Sequence, residues 1–419
     1  MKRWFNGLWA AAKLECRYTR HHPQQWVICA LMPVIWLIVV AQTFGTGLMT
    51  KLPVGIVNQD SAVYSREVVM LLDSVPSFGL KGYDNVREAQ AALARAETYA
   101  TIIIPEHFTR DSLNGQGSTI EFIVNKSYYA IGTILEVDLK QALAAYQKQA
   151  GAKKITIARG GTLSHAEANL RLEVPEVYFM GNQGFNFVAY LLPTLSPGLI
   201  ALAAGITFAG VLVREWRDGG AQQLLESANG FATAAILGKL FPWFIFYCAL
   251  GFAWVGGIAG WLGWAPAGSL VLWLIATLCL VAAMGAIAVM LTSTSISWPI
   301  GVSAVICVSA PSFPFTGFSY PLESMTPGAS FFGDLLPLTH YLAIQGQCWV
   351  LNSPLDHTMN TFVPLLLLIA IPMGAGLPIL SVRLRTWAKK DADKARLVQL
   401  LSDEGALAQD SKAPVKENA

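Results

Sequence analysis

Residues 270–291 read LVLWLIATLCLVAAMGAIAVML, an apolar run without a single charged residue. As a helix it is long enough to cross a bilayer, which takes about 20 residues. Outward from this run, no Lys or Arg occurs between Lys239 and Arg383, yet basic segments flank the gap on both sides. A soluble domain of that size needs surface charge to stay solvated. The gap instead predicts several membrane spans joined by short loops, with the basic flanks held on the cytoplasmic side.

Composition points the same way. Of 419 residues, 54% are hydrophobic and 13% charged, against about a quarter charged in soluble domains. The net charge of +2 offers no concentrated basic surface for a phosphate backbone, so nucleic acid is not an expected partner. Thirteen Trp suit long membrane–water boundaries, where indole rings settle. Six Cys occur without CxxC or Cys/His spacing. They read as small apolar fillers rather than a zinc or redox site.

Along the chain, residues 1–25 form a basic amphipathic segment expected to lie on the inner membrane surface. A first span follows within 26–47. Its apolar run, Trp26 to Phe44, exceeds the roughly 7–15 residues of a signal-peptide core, which favours an uncleaved anchor. Residues 48–182 have soluble composition and an α/β pattern. Strands are expected at Val54–Val57, Tyr99–Ile104 and Thr119–Val124, with helices at Ser65–Leu72, Asn85–Ala96 and Ser127–Gln149. This order predicts a mixed sheet covered by helices, outside the membrane.

Residues 183–384 return to the bilayer. Spans are expected at Phe185–Val213, Leu240–Trp261, Leu270–Leu291, Pro299–Phe315 and Phe362–Val382, giving about six in all. Residues 318–360 are too apolar for a solvated loop but are broken by Pro321, Pro327, Pro337 and Pro354, and read as re-entrant helices. Residues 385–419 form a cytoplasmic tail, expected to lack structure beyond Leu400. The fold class is therefore an α-helical polytopic membrane protein with re-entrant helices and an inserted α/β domain, both termini inside.

No GxxxxGK[ST] loop, GxSxG elbow or HExxH pair is present, so no catalytic, metal or cofactor site is expected in this chain. The informative piece is the cytoplasmic loop 214–239. It begins Arg214-Glu215-Trp216-Arg217-Asp218-Gly219-Gly220, continues through Gln222-Gln223-Leu224-Leu225 and closes on Gly238-Lys239. A charged, partly helical loop between two spans can transmit force from a soluble motor to both.

That loop resembles the signature of type 2 ABC-transporter permeases, the membrane subunits of ABC exporters. Arg214, Glu215, Gly219, Leu224, Leu225, Gly238 and Lys239 match it, while Gly220 stands where the family usually has Thr. Pro321-Leu322-Glu323-Ser324-Met325-Thr326-Pro327, followed by Pro337-Leu338-Thr339-His340-Tyr341, resembles the family's elements after the fifth span. Pro53 to Asp60 is similar to the opening of the large external domain in one branch. The resemblance implies that two permeases, identical or sister chains, pair in a bacterial inner membrane. Each docks an ATPase subunit that uses ATP and Mg.

Arg214, Glu215, Arg217, Gly219, Leu224, Leu225 and Lys239 would be the coupling residues, with Glu215 the ionic contact to the motor. Glu323, Met325, Asp334, Pro337 and His340 would sit at an outer gate. The apolar spans suit a hydrophobic or amphipathic substrate, drug- or lipid-like, and the external domain suits a periplasmic adaptor subunit. The alternative is a non-transporting receptor or scaffold built around that domain.

Overall fold

The computed structural model describes residues 1–43, 49–113, 119–125, 129–159, 187–261, 263–318 and 320–410. The chain divides into two compact units, Met1–Thr43 with Leu191–Ala419, and Phe44–Tyr190.

The first unit is helical. Among the described residues, five helices are long and apolar enough to cross a membrane: Pro23–Gln42, Tyr190–Asp218, Ala232–Gly260, Leu270–Thr294 and Leu355–Arg396. We call them spans 1 to 5. Span 4 sits at the centre, with Trp273, Leu280, Val281, Met284 and Val289 all buried. Its start is set by Ser269, whose hydroxyl accepts the Leu272 N–H at 3.3 Å, satisfying one of the free donors at a helix N-terminus.

Span 2 carries Pro193 and Pro197 inside the helix. Proline has no N–H, so Pro197 leaves the carbonyl four residues earlier without its helical partner. That carbonyl, on Pro193, accepts the Gln345 side-chain N–H at 2.8 Å. In an apolar interior a freed backbone oxygen must find such a donor.

The expected span Pro299–Phe315 differs from what is observed. An apolar helix of only 12 residues, Trp298–Ser309, is followed by a turn and the short helix Ser312–Phe315. Pro311 stands at the break, where its missing N–H leaves the carbonyl four residues earlier without a helical partner. Residues 318–360 do form short helices, at Pro327–Asp334 and Pro337–Gly346, each with proline in its first turn. Neither is long enough to cross alone. The tail is also a correction: the helix beginning at Leu355 continues to Asp410 rather than ending near Leu400. Its Ala-, Leu- and Lys-rich sequence favours helix. Residues 411–419 lie outside the described ones.

The second unit holds a four-stranded sheet in the order β2-β1-β3-β4, where β1 is Leu52–Asn58, β2 Phe78–Gly82, β3 Ala100–Ile104 and β4 Glu121–Val124. β1 pairs in parallel with β2 and β3, and β4 runs antiparallel to β3. Val54, Ile56, Ile102 and Ile104 pack against Val68, Leu72, Leu135 and Leu139 of the covering helices. The edge strand β2 and the helix Phe108–Leu113 escape the sequence reading, the first because glycines at both ends dilute its β pattern. The start of the expected helix Ser127–Gln149 and residues 160–186 lie outside the described residues.

Asp60 ties this unit together at the end of β1. Its carboxylate accepts the Thr109 N–H at 2.7 Å and the Ala62 N–H at 3.0 Å. Hydrogen bonding from Thr109 above all, and from Ala62, holds the Asp60 carboxyl below its usual range.

Candidate functional site

The N-terminal helix Lys2–His21 lies against the start of span 3, and the approach is close. A Cβ on Gly238 would overlap the Leu8 carbonyl, and one on Gly7 would meet the Ala228 carbonyl at 2.6 Å. Glycine at both positions is what lets the backbones meet. The Trp4 indole N–H donates to Thr233 at 3.0 Å, and Asn229 donates to the Arg3 carbonyl at 3.2 Å.

This contact encloses a buried polar junction. Glu15 and Lys239 are each 2% exposed, Arg214 8% and Glu215 9%. The Arg214 guanidinium pairs with Glu15, and Lys239 pairs with Glu215. Arg214 also lies 3.6 Å from Glu215, which links the two pairs. The Trp243 indole N–H donates to Glu15 at 3.2 Å, Arg214 donates to the Gln25 amide oxygen at 3.4 Å, and its guanidinium stacks 3.7 Å from the Tyr18 ring centre. Two carboxylates and two cations balance. Without that balance, burying any one of them would cost several kcal/mol (about 3–5 when a partner is removed).

Beyond the junction the loop turns outward. Arg217 and Asp218 are exposed and pair side by side at 2.6 Å. Gly219 and Gly220 follow with φ of +82° and +98°, a region that side chains with a Cβ resist. This accounts for Gly220 in place of the family's usual Thr. The short helix Ala221–Ser227 then buries Leu224, half-buries Leu225 and leaves Gln223 and Glu226 exposed.

The long helix of span 5 clamps this loop. The Asp391 carboxylate accepts the N–H groups of Gly220 at 3.1 Å and Ala221 at 3.0 Å. Trp387 stacks on Trp216 with ring centres 5.2 Å apart, and the Arg383 guanidinium lies 5.7 Å from the Trp216 ring centre. The loop is thus gripped from the N-terminal and the C-terminal helix at once.

The seven residues named for coupling therefore gather at one place, but with divided roles. Arg214, Glu215 and Lys239 face inward, Arg217 faces outward, Gly219 shapes the turn, and Leu224 and Leu225 anchor the short helix. Glu215, expected to touch a motor subunit, is turned to Lys239 instead, because an unpaired buried ammonium would be costly.

The gate residues are looser. Glu323 and Asp334 are exposed, Met325 and His340 half-buried, and Pro337 buried. The His340 ring Nε2 lies 2.8 Å from the Asp334 backbone carbonyl. Glu15 and Asp391 were missed by sequence reasoning. Glu15 had a signal: it is the lone acid in the basic stretch 1–25. Asp391, in a tail of mixed charge, had none.

The sequence pattern of the family described as ABC-2 family transporter protein matches residues 23–377. No curated protein sequence matches the chain.

Proposed function

Because the chain belongs to the ABC-2 transporter family, we propose that it is the permease subunit of an ATP-driven exporter whose ATPase is a separate chain. The observation that carries this reading is the buried junction of Glu15, Arg214, Glu215 and Lys239. It joins the N-terminal helix and spans 2 and 3 directly to an exposed loop. A push on that loop at Arg217, Gln223 or Glu226 is passed inward through charges that cannot separate cheaply. The motor thus moves spans rather than a slack connection.

Arrangement in the membrane follows from charge. The basic N-terminal helix, the Arg214–Lys239 loop and the segment from Arg383 lie on the cytoplasmic side of a bacterial inner membrane. The chain between spans 4 and 5 must then cross once more. Trp298–Ser309, with 12 residues, reaches about 18 Å of a core about 30 Å thick. The short helices through Gly346 complete the passage, sheltered by protein. The unit Phe44–Tyr190 falls outside, where it meets a periplasmic adaptor. A second permease, identical or sister, completes the membrane pair.

An open groove of about 430 Å³ among spans 1, 2 and 3, lined by Met32, Trp36, Leu199, Ile206 and Tyr247, supports a hydrophobic or amphipathic substrate. Purification from native membranes tests the assignment. A nucleotide-hydrolysing subunit should accompany the chain in detergent, and a chain recovered intact and paired without any ATPase would contradict it.

A further inference from the structure

The N-terminal helix has a second face that the junction does not use. Ala11, Ala12, Glu15 and Thr19 are buried, but Trp9, Lys13, Cys16, Arg17 and Arg20 are exposed along the opposite stripe. These five follow helical spacing, so they project side by side. Together with Phe241, Pro242 and Ile245 of span 3 they wall an open cavity of about 860 Å³.

Among the described residues, three cations line this cavity and no carboxylate does. Among the described residues none of Lys13, Arg17 or Arg20 has an ion-pair partner. Like charges one turn apart on a helix repel, so the stripe is built for an anion rather than for itself. Two guanidinium forks suit a phosphate, which they grip bidentately. The opposite wall, from span 3, is apolar and uncovered, with Ile245 51% exposed, and Trp9 adds an indole 55% exposed from the helix side. Ile245 belongs to a helix long and apolar enough to cross the membrane, which puts this wall at lipid depth. Trp9 meets Phe241 edge-on at 6.4 Å, closing the floor.

We propose that this cavity binds an anionic phospholipid, its phosphate held by Arg17 and Arg20 with Lys13 beside it, and its acyl chain lying on Phe241 and Ile245. An acidic protein surface would leave the apolar wall uncovered, and free phosphate would leave it wet; a lipid satisfies both walls. The bound lipid holds the outer face of the same helix whose inner face carries Glu15. The site is separate from the transport reading and stands or falls without it.

The test uses the full chain in nanodiscs of phosphatidylcholine with or without phosphatidylglycerol. Maleimide modification of Cys16, an exposed thiol on the cavity wall, is followed by peptide mapping. Phosphatidylglycerol should slow it, while phosphatidylcholine alone or millimolar inorganic phosphate should not. Retention of phosphatidylglycerol, counted by native mass spectrometry, should be at least about tenfold weaker in the double variant Arg17→Gln, Arg20→Gln, as expected when charge-assisted bonds are lost. The wild-type comparison needs no variant, so a misfolded double variant does not blunt the test. Equal modification with and without phosphatidylglycerol would overturn the proposal. So would protection by inorganic phosphate alone, or protection seen only with an acidic protein.

Discussion

Arg214 and Glu15 are 199 residues apart in sequence and form a buried ion pair. One lies at the end of span 2, the other in the middle of the N-terminal helix. Their union means that the helix preceding span 1 is part of the transport unit's frame, fixed by charge as well as by packing. It also explains why the loop after Arg214 starts from a rigid base.

The first prediction concerns that pair. Arg214→Gln alone leaves Glu15 buried without its cation, and the expected loss is about 3–5 kcal/mol. Glu15→Gln alone strands the guanidinium in the same way. The double variant removes both charges and should recover most of the loss. Thermal unfolding in detergent, read by Trp fluorescence, checks this. Additive losses in the double variant would show that the two do not act as a pair.

Packing at Gly238 gives the second. Gly238→Val puts methyl groups where the Leu8 carbonyl stands, and overpacking of this kind costs about 1–3 kcal/mol. The N-terminal helix should be displaced, so backbone hydrogen exchange across Lys2–His21 should speed up. Unchanged protection there would contradict the close approach.

A third follows from Asp391. Its carboxylate holds two N–H groups at the start of the loop helix, and losing such a cap costs about 0.5–2 kcal/mol. Asp391→Ala should raise exchange at Gly220 and Ala221 and lower ATPase stimulation in the assembled transporter. Asp391→Asn, which keeps an acceptor oxygen, should fall between.

pH dependence at Asp60 supplies the fourth. Its carboxyl is held low in the folded unit, so its contribution is fully present above the ordinary Asp value, about 3.9. That contribution fades as pH falls through the depressed folded value. Acidification should release exchange protection around Thr109 in the wild type. In Asp60→Asn protection should be weaker at neutral pH and nearly independent of pH in that acid range. An Asp60→Asn chain with the wild-type acid response would reject this role.

Legibility in the sequence was uneven, for physical reasons. Spans such as Leu270–Thr294 announce themselves because lipid demands a long uncharged run, and β1 and β3 because β-branched residues cluster there. The loop 214–239 was visible through Gly238-Lys239 and Arg214-Glu215, although the direction each side chain faces was not. Inward or outward depends on a partner, and the partner Glu15 lies far along the chain. Trp298–Ser309 was overestimated in length because hydropathy ignores the backbone bond that Pro311 removes at the break. The Gln345 bond to the Pro193 carbonyl belongs to the same class: a proline signals that an oxygen is freed, not what will satisfy it.

On the proposed function, the exposed segment after the junction receives the motion of a separate ATPase. Gln223 is exposed on the short helix Ala221–Ser227 that follows the turn and takes no part in the junction. A photo-crosslinking amino acid at position 223, in intact cells or inner-membrane vesicles, measures its neighbour directly. A crosslink to an ATPase subunit is expected, with a yield that changes when nucleotide is added. A position 223 that reacts only from outside the cell, or that never reaches an ATPase, would contradict it.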